Sequence, residues 1–208
     1  MGKRKRNQVL SITFIIVSIV VLYLSLEKIF GTSQVVKQLS VLLKSVSFVL
    51  MSIGAILASV SFNNNQRIAL ISGIGLIIGL GFLYLPVPSV LSSSAFHLLF
   101  AGAIAFGMTT PATRMATIVS AVGVLIGIVF LYQSVDPSLN GSTLHLLLPS
   151  IIVFSIVNSQ KVLCERISIG LIALGLVSLC QPFLMLFYQT GFQLLLTGLT
   201  GFIVVAHR

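Results

Sequence analysis

The sequence predicts an all-α fold: a polytopic transmembrane helix bundle of about eight spans, built from tandem parallel two-helix hairpins. Three observations predict it. Of the 208 residues, 57% are hydrophobic and only 7% are charged, whereas a soluble domain carries roughly 25% charged residues. Such a set cannot cover a surface facing water. The apolar residues fall into eight runs, most of them near the roughly 17 to 25 residues that a helix needs to cross the hydrocarbon. The runs also recur in pairs, at a lag of about 48 residues.

The spans are placed at 9–26, 42–62, 68–85, 91–108, 115–132, 143–157, 167–188 and 192–206. The breaks between them are polar, or rich in Pro, Gly and Ser: Asn63 to Gln66, Pro86-Val87-Pro88-Ser89, Thr109-Thr110-Pro111, Asp136 to Gly141, and Gln189-Thr190-Gly191. The runs are continuously apolar, whereas strands of a membrane barrel alternate over about ten residues, so helices are expected.

The chain opens on a basic tail, residues 1–8, with Lys3-Arg4-Lys5-Arg6. The first run is long for a signal peptide and no small-x-small cleavage site follows, so it is expected to remain as a span. Residues 9–208 then form one transmembrane domain of four hairpins, near 9–66, 67–113, 114–165 and 166–208. Ser11, Ser18 and Ser25 recur every seven residues and give the first span a small packing face. In the next connection Val35, Val36, Leu39, Leu42 and Leu43 can share one helix face, with Lys37, Ser40 and Lys44 on another. That pattern fits a short interfacial helix whose Lys44 snorkels to the headgroups; a substrate-binding role for the lysines is the alternative.

Two of the hairpins match closely. Arg67-Ile68-Ala69, Gly75 and Gly79, Phe82-Leu83-Tyr84 and Pro88-Ser89 are answered by Arg114-Met115-Ala116, Gly123 and Gly127, Phe130-Leu131-Tyr132 and Pro137-Ser138. The helices that follow pair Phe96-His97-Leu98-Leu99 with Leu144-His145-Leu146-Leu147, and a weaker third copy has Gln193 in the histidine position. The GxxxG pairs Gly75/Gly79 and Gly123/Gly127 allow close helix approach, within the chain or between two copies of it. Pro149 and Pro182 fall inside the sixth and seventh spans, where each is expected to kink its helix. Around Gln181-Pro182 the last unit reads about four residues longer than the others. A helix break there is a place for an intramembrane site; a tolerated kink is the alternative.

Lysine and arginine set the orientation. The tail carries four, the even-numbered connections carry Arg67, Arg114, and Lys161 with Arg166, and the chain ends in Arg208. The odd-numbered connections after the first carry none; the first departs from the pattern with Lys28 and Lys37. The positive-inside rule puts both termini in the cytoplasm, in a multi-pass protein of the inner or plasma membrane. The net charge of +9 is therefore a topology signal. The basic residues have no aromatic interleaving, and no nucleic-acid partner is expected.

The residues exclude several kinds of chemistry. The three acidic residues, Glu27, Asp136 and Glu165, all fall at span ends or in loops, whereas an ion-coupled transporter needs carboxylates inside the membrane. No carboxylate pair, zincin-type histidine spacing or Ser/His/Asp set can be placed at one depth, so no enzyme is expected. No metal or cofactor is expected either. Cys164 and Cys180 are sixteen residues apart, about 24 Å along a helix, too far for a disulfide. What remains is a layer of His97, His145 and Gln193, about one turn into their helices from the outer surface, with Tyr84, Tyr132 and Tyr188 at a similar depth. It reads either as an interfacial belt or as a polar vestibule for a cation, a proton or a small ligand.

The stretch from Gly73-Ile74-Gly75 to Gly107, through Leu85-Pro86-Val87-Pro88-Ser89, resembles the HdeD-like family of small bacterial membrane proteins. Those are tandem hairpins with a Gly-rich first helix, a Pro-containing outer turn and a Gly/Ala-rich second helix. The likeness spans about 40 residues per unit. The usual form has three hairpins, and this chain has four. The resemblance implies a stress-related membrane protein, linked to acid resistance, and carries over no catalytic residue. Two functions are thus expected: a structural or accessory component packed laterally against a membrane partner or a second copy, or a channel or facilitator for a small solute. A pore-lining stripe of Ser, Thr and Gln would favour the latter; Ser92, Ser93, Ser94, Thr117, Ser120, Thr197 and Thr200 are scattered.

Overall fold

The computed structural model describes residues 3–25, 34–62, 65–86, 89–111, 113–132, 137–181 and 185–207. Glu27, Lys28, Pro88, Asp136 and Pro182 lie outside the described residues, as do the side chains of Val35, Val36 and Lys37. Among the described residues there are eight helices and no strand: α1 (Lys3–Leu24), α2 (Gln34–Ser61), α3 (Asn65–Tyr84), α4 (Ser89–Thr109), α5 (Arg114–Tyr132), α6 (Pro137–Val157), α7 (Lys161–Cys180) and α8 (Met185–Ala206). Six are long and apolar enough to cross a membrane; in α4 and α6 the apolar stretches are Ser94–Thr109 and Thr143–Val157.

The helices are inside-out relative to a water-soluble bundle. The buried residues of α1 are Ser11 and Ser18, and those of α3 are Ser72 and Gly79. Ile12, Ile16, Ile71, Ile77, Val119, Leu125 and Val177 are exposed. In water this arrangement would forgo the main driving force of folding. In lipid there is no hydrophobic gain between helices, and small residues face inward because they let backbones approach. The chain is a multi-pass integral membrane protein.

The chain divides into two compact units, Met1–Thr109 and Thr110–Arg208. In the first, α1 pairs with α2 and α3 with α4, and the two hairpins meet through α2 and α4. In the second, α5 pairs with α6 and α7 with α8, and the hairpins meet through α6 and α8. The same scheme, second helix against second helix, thus recurs within each unit.

Two expectations need correction. The seventh span, read as reaching Tyr188, ends at Cys180, and Gln181 is extended (φ −97°, ψ 120°). The residue before a proline is driven out of the α region, which explains the stop. Gln189, Thr190 and Gly191 are not a turn but lie inside α8. With this boundary α3, α5 and α7 end at Tyr84, Tyr132 and Cys180, so the lag of 48 holds for all three. The last unit is not longer, and Gln181-Pro182 falls between two helices rather than within one. Second, α2 is continuous from Gln34, and Ser40 belongs to its buried face instead of sharing a polar face with Lys44. Pro149 lies inside α6, as expected, and the helix continues to Val157.

Candidate functional site

His97, His145 and Gln193 are each the ninth residue of their helices, α4, α6 and α8. Eight steps of about 1.5 Å put them some 12 Å from the starts of their helices. His97 belongs to the first unit; His145 and Gln193 belong to the second.

His97 is buried, with 7% of its surface exposed, where α4 meets α2. Its Nε2 lies 3.2 Å from the carbonyl oxygen of Lys44. A carbonyl only accepts, so Nε2 carries the proton and Nδ1 is left as an acceptor. Nδ1 is buried with no hydrogen-bond partner among the described residues. Around the imidazole the packing is aromatic. Phe48 meets it edge-on at 5.8 Å, stacks on Phe96 at 5.2 Å and leans on Phe100 at 4.7 Å. His97 is thus a strut between two helices, closed in by phenyl rings.

His145 and Gln193 are half-buried, and the Gln193 Oε1 is buried without a hydrogen bond among the described residues. The tyrosines divide. Tyr132 is partly buried with its ring 5.3 Å from Phe187, whereas Tyr84 and Tyr188 are exposed. Five of the seven hydroxyls considered for a pore lining are turned back onto the preceding turn of backbone. Ser94, Thr117, Ser120, Thr197 and Thr200 donate to carbonyls three or four residues back, at 2.7 to 3.1 Å.

The glycines form the seams of the hairpins. A Cβ on Gly79 would lie 2.9 Å from Leu99, one on Gly127 2.6 Å from Leu147, and one on Gly175 2.5 Å from the Leu195 backbone nitrogen. The three pairs are related by the 48-residue lag; Leu99 and Leu147 meet their glycines with side-chain atoms and Leu195 with its backbone. Gly175 was not singled out in the sequence, although it stands 48 residues after Gly127. Gly123 also packs, against Ser150. Gly75 does not: a Cβ there would meet nothing within 4 Å.

The first hairpin uses hydroxyls instead. Ser18 Oγ donates to the Ser47 carbonyl at 2.9 Å and Ser47 Oγ returns a bond to the Ser18 carbonyl at 2.8 Å. Ser11 donates to the Gly54 carbonyl (2.9 Å) and Ser40 to the Ser25 carbonyl (2.7 Å). Arg4 Nε reaches the Ser61 carbonyl at 3.0 Å. Positions 4, 11, 18 and 25 thus face 61, 54, 47 and 40 in seven-residue steps. The sequence showed the first series; the second, Ser40-Ser47-Gly54-Ser61, was legible by the same spacing.

Among the described residues no group of three or more His, Cys, Asp and Glu side chains could hold a metal. Cys164 is buried and Cys180 exposed, near opposite ends of α7, and neither is in a disulfide among the described residues. Glu165, the one acidic residue among those described, is in the second turn of α7. The chain matches no protein-family model, no curated protein and no solved structure.

Proposed function

We propose that this protein is a non-catalytic component of the cytoplasmic membrane, with both termini inside, that acts by lateral packing as a structural or accessory subunit of the small, stress-related kind that HdeD-like proteins represent. The observation that carries this reading is that most hydroxyls within the spans are used by the fold, while the buried atoms left without a hydrogen bond among the described residues, such as Ser61 Oγ, His97 Nδ1, Ser168 Oγ and Gln193 Oε1, are divided between the two units. The serines of the first hairpin bond across its seam, and the hydroxyls of α4, α5 and α8 bond to their own helices. His97 braces α4 on α2. What is left outward is apolar and suits lipid or another membrane helix. The orientation rests on Arg67, Arg114, Lys161 and Arg166, all at or near the starts of first helices of hairpins.

Native mass spectrometry after mild detergent extraction from host membranes tests it. A stoichiometric membrane partner, or a defined homo-oligomer, is expected. A bare monomer that conducts or passes a solute in liposomes would overturn it.

A facilitator for a small polar solute is the second reading, supported by the Gln193 Oε1 that is buried with no hydrogen bond among the described residues. In that case Gln193→Ala and His145→Ala would change solute flux in liposomes while leaving the fold intact.

A further inference from the structure

One end of the first unit collects positive charge. Because α1 begins at Lys3, the residues Lys3, Arg4, Lys5 and Arg6 form its first turn rather than a separate tail. Two hydrogen bonds fix that end of α1 against the end of α2: Arg4 Nε and Gln8 Nε2 both donate to the Ser61 carbonyl, each at 3.0 Å. α3 starts four residues later, at Asn65, and brings Arg67 in its first turn. All five cations are exposed.

Glu27 is the one acidic residue in Met1–Thr109, and it lies outside the described residues, far along the chain from Lys3, Lys5 and Arg6. The four cations of the first turn also add to the positive end of the α1 macrodipole instead of opposing it. Lys3, Lys5 and Arg6 therefore present their charge outward. They do so at a particular depth. The exposed apolar face of α1 begins at Val9 and Leu10, so the cationic turn stands where hydrocarbon gives way to headgroups. The anion held at that depth, at high local concentration, is the phosphate of an anionic phospholipid, and juxtamembrane Lys/Arg clusters attract it.

We propose that the end of the first unit formed by Lys3, Lys5, Arg6 and Arg67 is a binding surface for anionic phospholipid headgroups, held in place by the Arg4 and Gln8 bonds to Ser61. The surface selects phosphatidylglycerol-type over zwitterionic lipid. It does so whichever reading of the protein's function holds.

The test uses the full chain in vesicles of equimolar phosphatidylglycerol and phosphatidylcholine, symmetric so that orientation is immaterial. After extraction, the lipids that stay bound are counted by native mass spectrometry. Wild type is expected to retain phosphatidylglycerol preferentially, and K3Q/K5Q/R6Q to lose that preference by roughly a hundredfold, from three attractions removed together. Arg4 is kept because it holds Ser61. The charge-preserving K3R/K5R/R6K is expected to behave as wild type, which separates lost charge from lost folding. Equal retention by wild type and K3Q/K5Q/R6Q would overturn the proposal. So would loss of the preference in K3R/K5R/R6K, or displacement of the bound lipid by inorganic phosphate alone.

Discussion

At the scale of single residues, small side chains line the hairpin seams, and in the second unit Leu131, Leu147, Ile151 and Phe154 pack into a buried apolar cluster beside them. Ser18 and Ser47 exchange two hydrogen bonds across the first hairpin. In membranes such bonds are worth about 0.6 kcal/mol on average and rarely more than about 1.7. Ser18→Ala and Ser47→Ala are therefore expected to be mild singly and to show a coupling of about that size in a double-mutant cycle read by unfolding in mixed micelles. The glycines give a sharper contrast. Gly175→Val must displace the backbone of Leu195, and overpacking of this kind costs about 1–3 kcal/mol or more. Gly75→Val meets nothing and is expected to unfold with wild type. A thermal-shift series on the two variants checks this, and equal destabilisation would refute the seam. His97→Phe removes the bond to Lys44 and is expected to cost about 1 kcal/mol in the same assay.

At the scale of helices, much was legible because each hairpin repeats a local pattern. The apolar runs, the GxxxG spacing and the His/His/Gln series all lie along one chain segment at a time. What was not legible involved a second segment. Gln189-Thr190-Gly191 has the composition of a turn, yet Gly191 is small because it packs on Leu179 and Gly175. A turn glycine and a packing glycine look alike until the partner helix is known. The residues that break the chain there are Gln181-Pro182, in the register of Leu85-Pro86 two repeats earlier. Likewise Ser40 resembles a companion of Lys37 and Lys44, and only the placement of Ser25 opposite shows it to be part of a seam. If Gly191 is a packing residue, Gly191→Val is expected to destabilise the second unit by about 1–3 kcal/mol. A turn position would absorb it with little change.

At the scale of the whole molecule, four hairpins are joined two by two, three with a glycine–leucine seam and the first closed by hydroxyls. The composition alone announced a membrane protein, and the inside-out burial agrees with it. Because Met1–Thr109 and Thr110–Arg208 are each compact, halves divided after Thr109 and co-expressed are expected both to insert and to accumulate. Pulse-chase labelling would show whether each half survives alone. The central claim is the path of the chain: eight helices crossing in turn, with one ending at Cys180, the next starting at Met185, and 189–191 inside that last helix. Single cysteines introduced at 63, 112, 134, 159, 183 and 190 into a protein carrying Cys164→Ser and Cys180→Ser would report it directly through a membrane-impermeant thiol reagent. Positions 134 and 183 are expected to label from outside intact cells, 63, 112 and 159 only after permeabilisation, and 190 poorly in either case. Labelling of 190 from outside with 183 protected, or labelling of two successive connections from the same side, would contradict it.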